Sequence, residues 1–322
     1  MTTTRAGTAA TRATTADFVA FAVTVRRIEK MGAHFVRVTL GGDDLEHFHA
    51  AGLDQRVKLI FPLATTGLTT FPRGGSDWYA GWRDLPEHER CPMRTYTVRA
   101  ARTAAGEIDV DFAVHGDTGP ATRWVNRASV GDELLVVGPD ARTLVVGAGP
   151  IGGVEFRAGD ADRVLLAGDE TAAPAICSII EQLPADTRGQ VFIEVATDDD
   201  ILPVTAPGRM TVTWLARDTR DASHGEALNR AVRAWVSEMV APAAADEPVE
   251  TTGNAPLGDA DADAEPLWDV PPATGEHHGL YAWIAGEASC IRELRRFLVR
   301  DTGLHRNDVA FMGYWRAGRP ES

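Results

Sequence analysis

Arg94-Thr95-Tyr96-Thr97, entered through Cys91-Pro92-Met93, is the stretch whose reading decides the fold. Side chains alternate along an extended strand, so Arg-x-Tyr sets a guanidinium and an aromatic ring on one face. A ring stacks on a flat conjugated ligand, and a guanidinium holds an anionic group beside it. Together they suit a flavin dinucleotide, with Arg94, Tyr96 and Thr97 as its contacts. The same tetrapeptide is also an ordinary half-buried strand. The flanking sequence separates the two.

Upstream, Val23 and Val25, then Phe35, Val36, Val38 and Leu40, alternate in two runs joined by the polar turn Glu29-Lys30-Met31-Gly32. Arg56 to Phe61 is a third run, ended by Pro62. Residues 64–90 are rich in Gly, Pro, Arg and Trp without a sustained period, which predicts loop. Downstream of the Tyr96 strand, Glu107 to Val114 alternates as a fifth strand, and Leu134 to Val137 before Gly138-Pro139 makes a sixth. Six short strands with turn signals between them predict a small antiparallel barrel. Between the last two, Gly119-Pro120 opens a helix, and proline is favourable there because its missing amide would have no partner. The free amides of that first turn form an anion site suited to a pyrophosphate, lined by His115, Gly116, Gly119, Ala121 and Thr122.

The second half changes period. Val164-Leu165-Leu166-Ala167 is a continuous apolar strand, Ala172 to Leu183 a helix stopped by Pro184, and Val191 to Ala196 the next strand. Met210 to Leu215, Glu226 to Val240, Leu280 to Ile284, Ser289 to Val299 and Val309 to Tyr314 continue the alternation of strand and helix. Such alternation predicts a parallel sheet covered on both faces. Gly147-Ala148-Gly149-Pro150-Ile151-Gly152 fits the dinucleotide fingerprint, but the next residues, Gly153 to Asp160, have neither the length nor the period of the helix a fingerprint must open. It is read as part of a connection, residues 141–162, between a barrel domain at 17–140 and an α/β domain at 163–322. Residues 1–16 read as a disordered tail, and the Ala, Pro, Asp and Glu of 241–278 as a disordered acidic insertion.

A formal charge of −14 argues against nucleic acid or an anionic membrane surface as the main partner. No stretch approaches a membrane span, and the opening lacks the apolar core of a secretory signal. Cys91, Cys177 and Cys290 are too far apart for an iron-sulfur spacing, no resident metal is expected, and a reducing cytoplasm fits best.

Five blocks in order, Arg94 to Thr97, His115 to Trp124, Leu166 to Ala175, Trp283 to Ser289 and Gly313-Tyr314-Trp315-Arg316, resemble the siderophore-interacting proteins. These are FAD-dependent ferric-siderophore reductases of the ferredoxin-reductase superfamily. The resemblance implies a six-stranded Greek-key flavin-binding barrel followed by a parallel-sheet nucleotide-binding-like domain. It also implies a cytoplasmic enzyme fed by NAD(P)H or reduced ferredoxin. Tyr96, Tyr314 and Trp315 would flank the flavin, and Lys58, Arg123 and Arg316 would hold an anionic ferric siderophore. Asp169, Thr171 and Ala172 stand where relatives keep a glycine-rich turn for the nicotinamide pyrophosphate, yet Asp169 and Glu170 repel a phosphate. Asp198-Asp199-Asp200 speaks against an adenosine 2′-phosphate, which Arg217 and Arg220 could still accept. Ser289 is the expected cap of its helix, and Arg292, Arg295 and Arg296 come after it as a solvated face. A general NAD(P)H flavoprotein reductase serving a ferredoxin or oxygenase, and a siderophore-binding protein without turnover, are the alternatives.

Overall fold

The structure is a computed structural model that describes residues 17–73, 77–114, 119–145, 152–220, 222–240, 267–272 and 279–318. The tail 1–16, His115 and Gly116, most of the fingerprint and most of 241–278 lie outside the described residues.

The alternating runs of the first half become β1 (Phe18–Lys30), β2 (Phe35–Gly41), β3 (Arg56–Ile60), β4 (Met93–Thr97), β5 (Ala100–Arg102), β6 (Glu107–Ala113) and β7 (Glu133–Pro139). They form one antiparallel sheet in the order β4-β3-β7-β1-β2-β6-β5. It curls around Phe21, Val38, Leu40, Leu59, Val110 and Phe112, the inward members of each alternation. There are seven strands rather than the expected six, in a curled sheet whose order ends on β4 and β5. The extra one, β5, is three residues long and shows no alternation; Arg102 holds it to Asp109 on β6 at 2.7 and 2.8 Å. The predicted loop 64–90 also contains a short helix, α1 (Trp78–Arg83), too brief to show a period. α2 (Pro120–Val125) begins at the proline, as expected.

The second half supplies β8 (Arg163–Gly168), α3 (Ala173–Gln182), β9 (Arg188–Val195), β10 (Arg209–Ala216), α4 (Glu226–Val240), β11 (Trp268–Asp269), β12 (Leu280–Glu287), α5 (Ala288–Arg296) and β13 (Val309–Trp315). The sheet order is β10-β9-β8-β12-β13-β11, parallel except for β11. Its central strand shows why the apolar run is unbroken: Val164 and Leu166 pack on the α3 side, Leu165 and Ala167 on the side of α4 and α5. β11 corrects the expectation of disorder across 241–278. Leu267 and Trp268 are apolar residues within that acidic stretch, and the Gly313 amide donates to the Leu267 carbonyl at 2.7 Å. α5 is capped by Glu287, not Ser289, because the Glu287 carboxylate accepts from the Ser289 and Cys290 amides. Arg295 is not solvated either, but bonded to Asp269 of β11 at 2.8 and 3.1 Å.

Polar contacts join the halves at several places among the described residues. Asp54, fully buried ahead of β3, accepts from the Glu155 and Phe156 amides at 3.0–3.1 Å and from Trp283 Nε1 of β12 at 3.0 Å. Burial raises its pKa, and these donors oppose the rise. Arg99 forms a two-pronged pair with Glu181 of α3, both contacts at 2.7 Å. His34, in the β1–β2 turn, meets Asp200 through its amide at 2.6 Å and Nδ1 at 2.7 Å. The neighbouring Gly32 permits that approach, since a Cβ there would lie 2.5 Å from the Asp199 carbonyl. Cys91, Cys177 and Cys290 are buried and free, and burial pushes the Cys177 and Cys290 thiols up to about 12. Among the described residues no helix is long and apolar enough to cross a membrane.

Replacing Asp54 by Ala strands three buried donors, each costing about 1–3 kcal/mol when unsatisfied. Urea unfolding of Asp54→Ala is expected to show a loss of about 3 kcal/mol or more. Asp54→Asn, which keeps one acceptor, should retain part of it. A midpoint unchanged from the parent would refute Asp54 as the tie between halves.

Candidate functional site

β4 is an edge strand, and its register with β3 sorts the candidate residues by face. Val57 pairs with Tyr96 and Leu59 with Arg94, whereas Arg56 pairs with Thr97 and Lys58 with Thr95. Cross-strand partners share a face. Arg94 and Tyr96 therefore stand together on the core side, and Arg56, Lys58, Thr95 and Thr97 on the other. Tyr96 is half-buried with its ring 4.4 Å from that of Phe112, and Phe112 is 5.9 Å from Trp124 of α2. This aromatic row brings the Tyr96 strand and the proline-initiated helix into one unit. The Arg94 guanidinium donates to the Met93 carbonyl at 2.8 Å, and Lys58 Nζ to Thr95 Oγ1 at 2.6 Å.

These residues fit a flavin dinucleotide. The Tyr96 ring is steadied on one side by Phe112, and Arg94 shares its face. Gly119 has open space where a Cβ would be, and as the N-cap of α2 it carries no side chain to cap the first amides. Ala121 faces the core, so only its amide is available; Thr122 is half-buried and Arg123 exposed. His115 and Gly116 lie outside the described residues.

The β8–α3 turn differs from expectation. Asp169 and Ala172 are buried, at 1% and 0% exposure, and cannot touch a ligand directly. One Asp169 oxygen accepts from the Thr171 amide and hydroxyl at 2.9 and 2.5 Å; the other accepts from the Glu287 amide and Trp315 Nε1, both at 2.8 Å. Asp169 therefore fixes Trp315 and the ends of β8 and β12 rather than a cofactor. Arg217, which by sequence could still accept a 2′-phosphate, is bonded to Glu170 at 2.8 Å twice and to Glu194 at 3.3 Å. Arg220 turns back onto the Ala216 carbonyl at 3.0 Å.

His224 completes this cluster, with Nε2 3.6 Å from Asp169 and 3.7 Å from Glu170 and its ring edge-on to Trp315 at 5.1 Å. Burial works to raise the Glu170 carboxyl, but His224 and Arg217 outweigh it and hold Glu170 well below the usual carboxylate range. Burial works to lower His224, but Glu170 and Asp169 outweigh it and raise the imidazole. No sequence spacing foretold His224.

At the end of β13, the Tyr314 ring is T-shaped to Trp283 at 6.2 Å and stacked on Trp268 of β11 at 6.0 Å and 12°. Its hydroxyl is buried without a hydrogen-bond partner, and burial raises its pKa. Trp268 in turn lies under the Arg56 guanidinium, 4.3 Å from the ring centre. Arg56 and Trp268 thus carry Tyr314 to the β3–β4 pair. Neither residue stood out in the sequence as a site candidate; the available signals were the i, i+2 spacing of Arg56 and Lys58 and the lone Leu267-Trp268 within an acidic run. Arg316 comes directly after Trp315, half-buried.

A curled antiparallel sheet followed by a doubly covered parallel sheet defines a ferredoxin-reductase-like fold. A ferredoxin reductase from carbazole 1,9a-dioxygenase shares the fold at TM-score 0.56 and 13% identity, over 92% of this chain and 70% of that one. The chain belongs to the siderophore-interacting protein family: residues 24–143 match the siderophore-interacting FAD-binding domain and residues 161–318 the siderophore-interacting protein domain. It is 33% identical to an uncharacterized protein of Mycobacterium tuberculosis over 296 residues, covering 90% of this chain and 88% of the relative. It is 28% identical to the ferric vibriobactin reductase ViuB of Vibrio cholerae over 295 residues, covering 92% and 89%. A siderophore utilization protein from T. fusca has the same fold at TM-score 0.64 and 26% identity, covering 96% of this chain and 97% of that one.

Two outcomes are expected. Tyr96→Ala should weaken FAD binding about tenfold or more, and Tyr96→Phe far less, read by flavin fluorescence titration of the stripped protein. The His224–Glu170 pair gives a signed pH dependence. The lowered carboxyl contributes stability above its ordinary value of about 4.3, lost as pH falls through its folded value; the raised imidazole contributes below about 6.5, lost as pH rises through its folded value. The melting-temperature gap between the parent and His224→Gln should therefore be widest near about pH 5.5 and close on the alkaline side. A gap that widens with pH would contradict the pair.

Proposed function

We propose that this protein is an FAD-dependent reductase of ferric siderophores, acting in the cytoplasm with electrons from NAD(P)H or reduced ferredoxin. The observation that carries this reading is the edge position of β4 within a domain matching the FAD-binding family. An edge strand offers a row of peptide groups outside the ladder. Tyr96 and Arg94 on one face of that strand would hold the flat ring system, with Thr97 and Lys58 on the other face. The relative named as a ferric vibriobactin reductase supports the substrate class.

Bound FAD would take a hydride or single electrons and release electrons singly. The chain's own residues supply the rest. Tyr96 would stack on the ring system, Arg94 and the first amides of α2 would hold the negative dinucleotide, and Asp169 steadies Trp315, the neighbour of Tyr314 at the end of β13. Lys58 and Arg316 attract an anionic ferric complex; Arg123, exposed on α2, fits the dinucleotide side as well. Hard oxygen donors hold iron(III) much better than iron(II), so transfer of one electron loosens the metal, and each reducing equivalent pair serves two ferric complexes. Asp169 and Glu170 beside the β8–α3 turn disfavour a phosphate in the usual place, which keeps ferredoxin a donor to be tested beside the nicotinamides.

Anaerobic mixing with NADH, NADPH and reduced ferredoxin in parallel should bleach the flavin with at least one of them. A ferric siderophore should then restore the colour while an iron(II) chelator traps ferrous iron. Lys58→Glu should raise KM for the ferric complex with flavin content intact. A flavin that bleaches but delivers no ferrous iron would favour a general flavoprotein reductase, and a chain that takes up no flavin would end the redox reading.

A further inference from the structure

A sheet edge that nothing covers is a template for another strand, and soluble proteins blunt theirs with charges, prolines, bulges or brevity. The two sheets end on β4, β5, β10 and β11. β5 and β11 are three and two residues long, and β4 carries the flavin contacts proposed above. β10 has none of the blunting devices. It runs for eight residues, its register with β9 is unbroken, and Met210 to Ala216 contains neither a charge nor a proline. Its two ends are closed locally. The Met210 amide donates to the Pro207 carbonyl at 2.9 Å, and Thr219 Oγ1 and the Arg220 guanidinium donate to the Ala216 carbonyl at 3.1 and 3.0 Å. Between those ends, among the described residues, no group bonds the side of Thr211 to Leu215 that faces away from β9.

Periodicity says what fits there. Met210, Val212 and Trp214 lie on the α3 side of the sheet, where Val212 and Trp214 are only half-buried; Thr211, Thr213 and Leu215 take the other face. When a second β10 runs antiparallel to the first about a two-fold axis at Thr213, Val212 stands opposite the partner's Trp214, and Trp214 opposite the partner's Val212. The two Thr213 side chains meet at the axis. Aromatic with β-branched and Thr with Thr are among the cross-strand pairs that stabilise an antiparallel ladder. The charges agree with the same symmetry. Arg209 opens the strand and Asp218 comes just after its end; both are exposed, and neither has an ion pair among the described residues. Reversal of direction brings Arg209 beside the partner's Asp218 at each end of the seam, while the intervening Arg217 is already matched by Glu170 and Glu194. A pattern complementary to its own reversal is what a two-fold interface requires.

We propose that β10 is a dimerisation edge, pairing antiparallel with β10 of a second copy of this chain so that the two parallel sheets join into one. The pairing does not rest on the reductase reading. A seam of two single strands is smaller than the interface of a permanent dimer, which sets the expected dissociation constant on the order of 10–100 µM. Sedimentation velocity of the full chain from about 1 to about 500 µM should show monomer passing to dimer. Thr211→Lys places a charge at an exposed position within the seam and should raise the dissociation constant about tenfold or more. Arg209→Asp should raise it about threefold, and adding Asp218→Arg to the same chain should bring it back, because both pairs are then reversed. Melting temperatures at the lowest concentration, where every variant is monomeric, show that the folds are intact. In hydrogen exchange, the β10 amides facing away from β9 should be protected at high concentration and lose that protection on dilution. A parent that stays monomeric throughout overturns the proposal, and so does a dimer indifferent to Thr211→Lys. Protection of the outward amides that persists on dilution means that the edge is covered from within the same chain, and overturns it as well.

Discussion

A carboxylate shut away from water is costly unless donors surround it, and Asp54 survives at zero exposure because three of them do. Two are main-chain amides of the connection between the halves, and the third is an indole on the central parallel sheet. A group from the curled sheet therefore sets where the second sheet sits. The lateral contacts, Arg99 with Glu181 and His34 with Asp200, only fix the remaining rotation. Every distance between the Tyr96 strand and the end of β13 depends on that arrangement, since the two belong to different halves.

On the β3–β4 pair the placement of side chains is set by periodicity. Residues two apart share a face, so Arg94 goes with Tyr96, and Arg56 with Lys58. β4 lies at the sheet's edge, so one of its sides is left outside the ladder. At the β8–α3 turn the carboxylates that looked like an obstacle to phosphate are engaged within the protein. Asp169 orients Trp315, and Glu170 neutralises Arg217. Charge that repels a ligand from one place here organises side chains for another.

Sequence alone revealed the architecture because its signals are local. The alternation at Phe35 to Leu40, the unbroken Val164 to Ala167 and the proline at the start of α2 each act through contacts within a few residues. β5 and α1 were not legible, being too short to complete a period. Trp268 was hidden by its neighbours' composition; its strand exists only because β13 offers an open edge, a fact of tertiary structure. Arg217 and Arg220 were visible as arginines after a strand, but their partners come from segments 47 and 4 residues away, and only folding shows them occupied. Arg94 and Tyr96 could be paired from spacing, whereas His224 and Asp54 act through contacts no spacing encodes.

The three thiols bear on the chemistry in a way that has nothing to do with packing. Ferrous iron set free where oxygen is present breeds peroxide, and the first casualty in a protein is an ionised sulfur. Cys177 and Cys290, protonated up to about 12 and walled off from solvent, offer no such target. Those two sulfurs stay in the form that oxidants attack slowly.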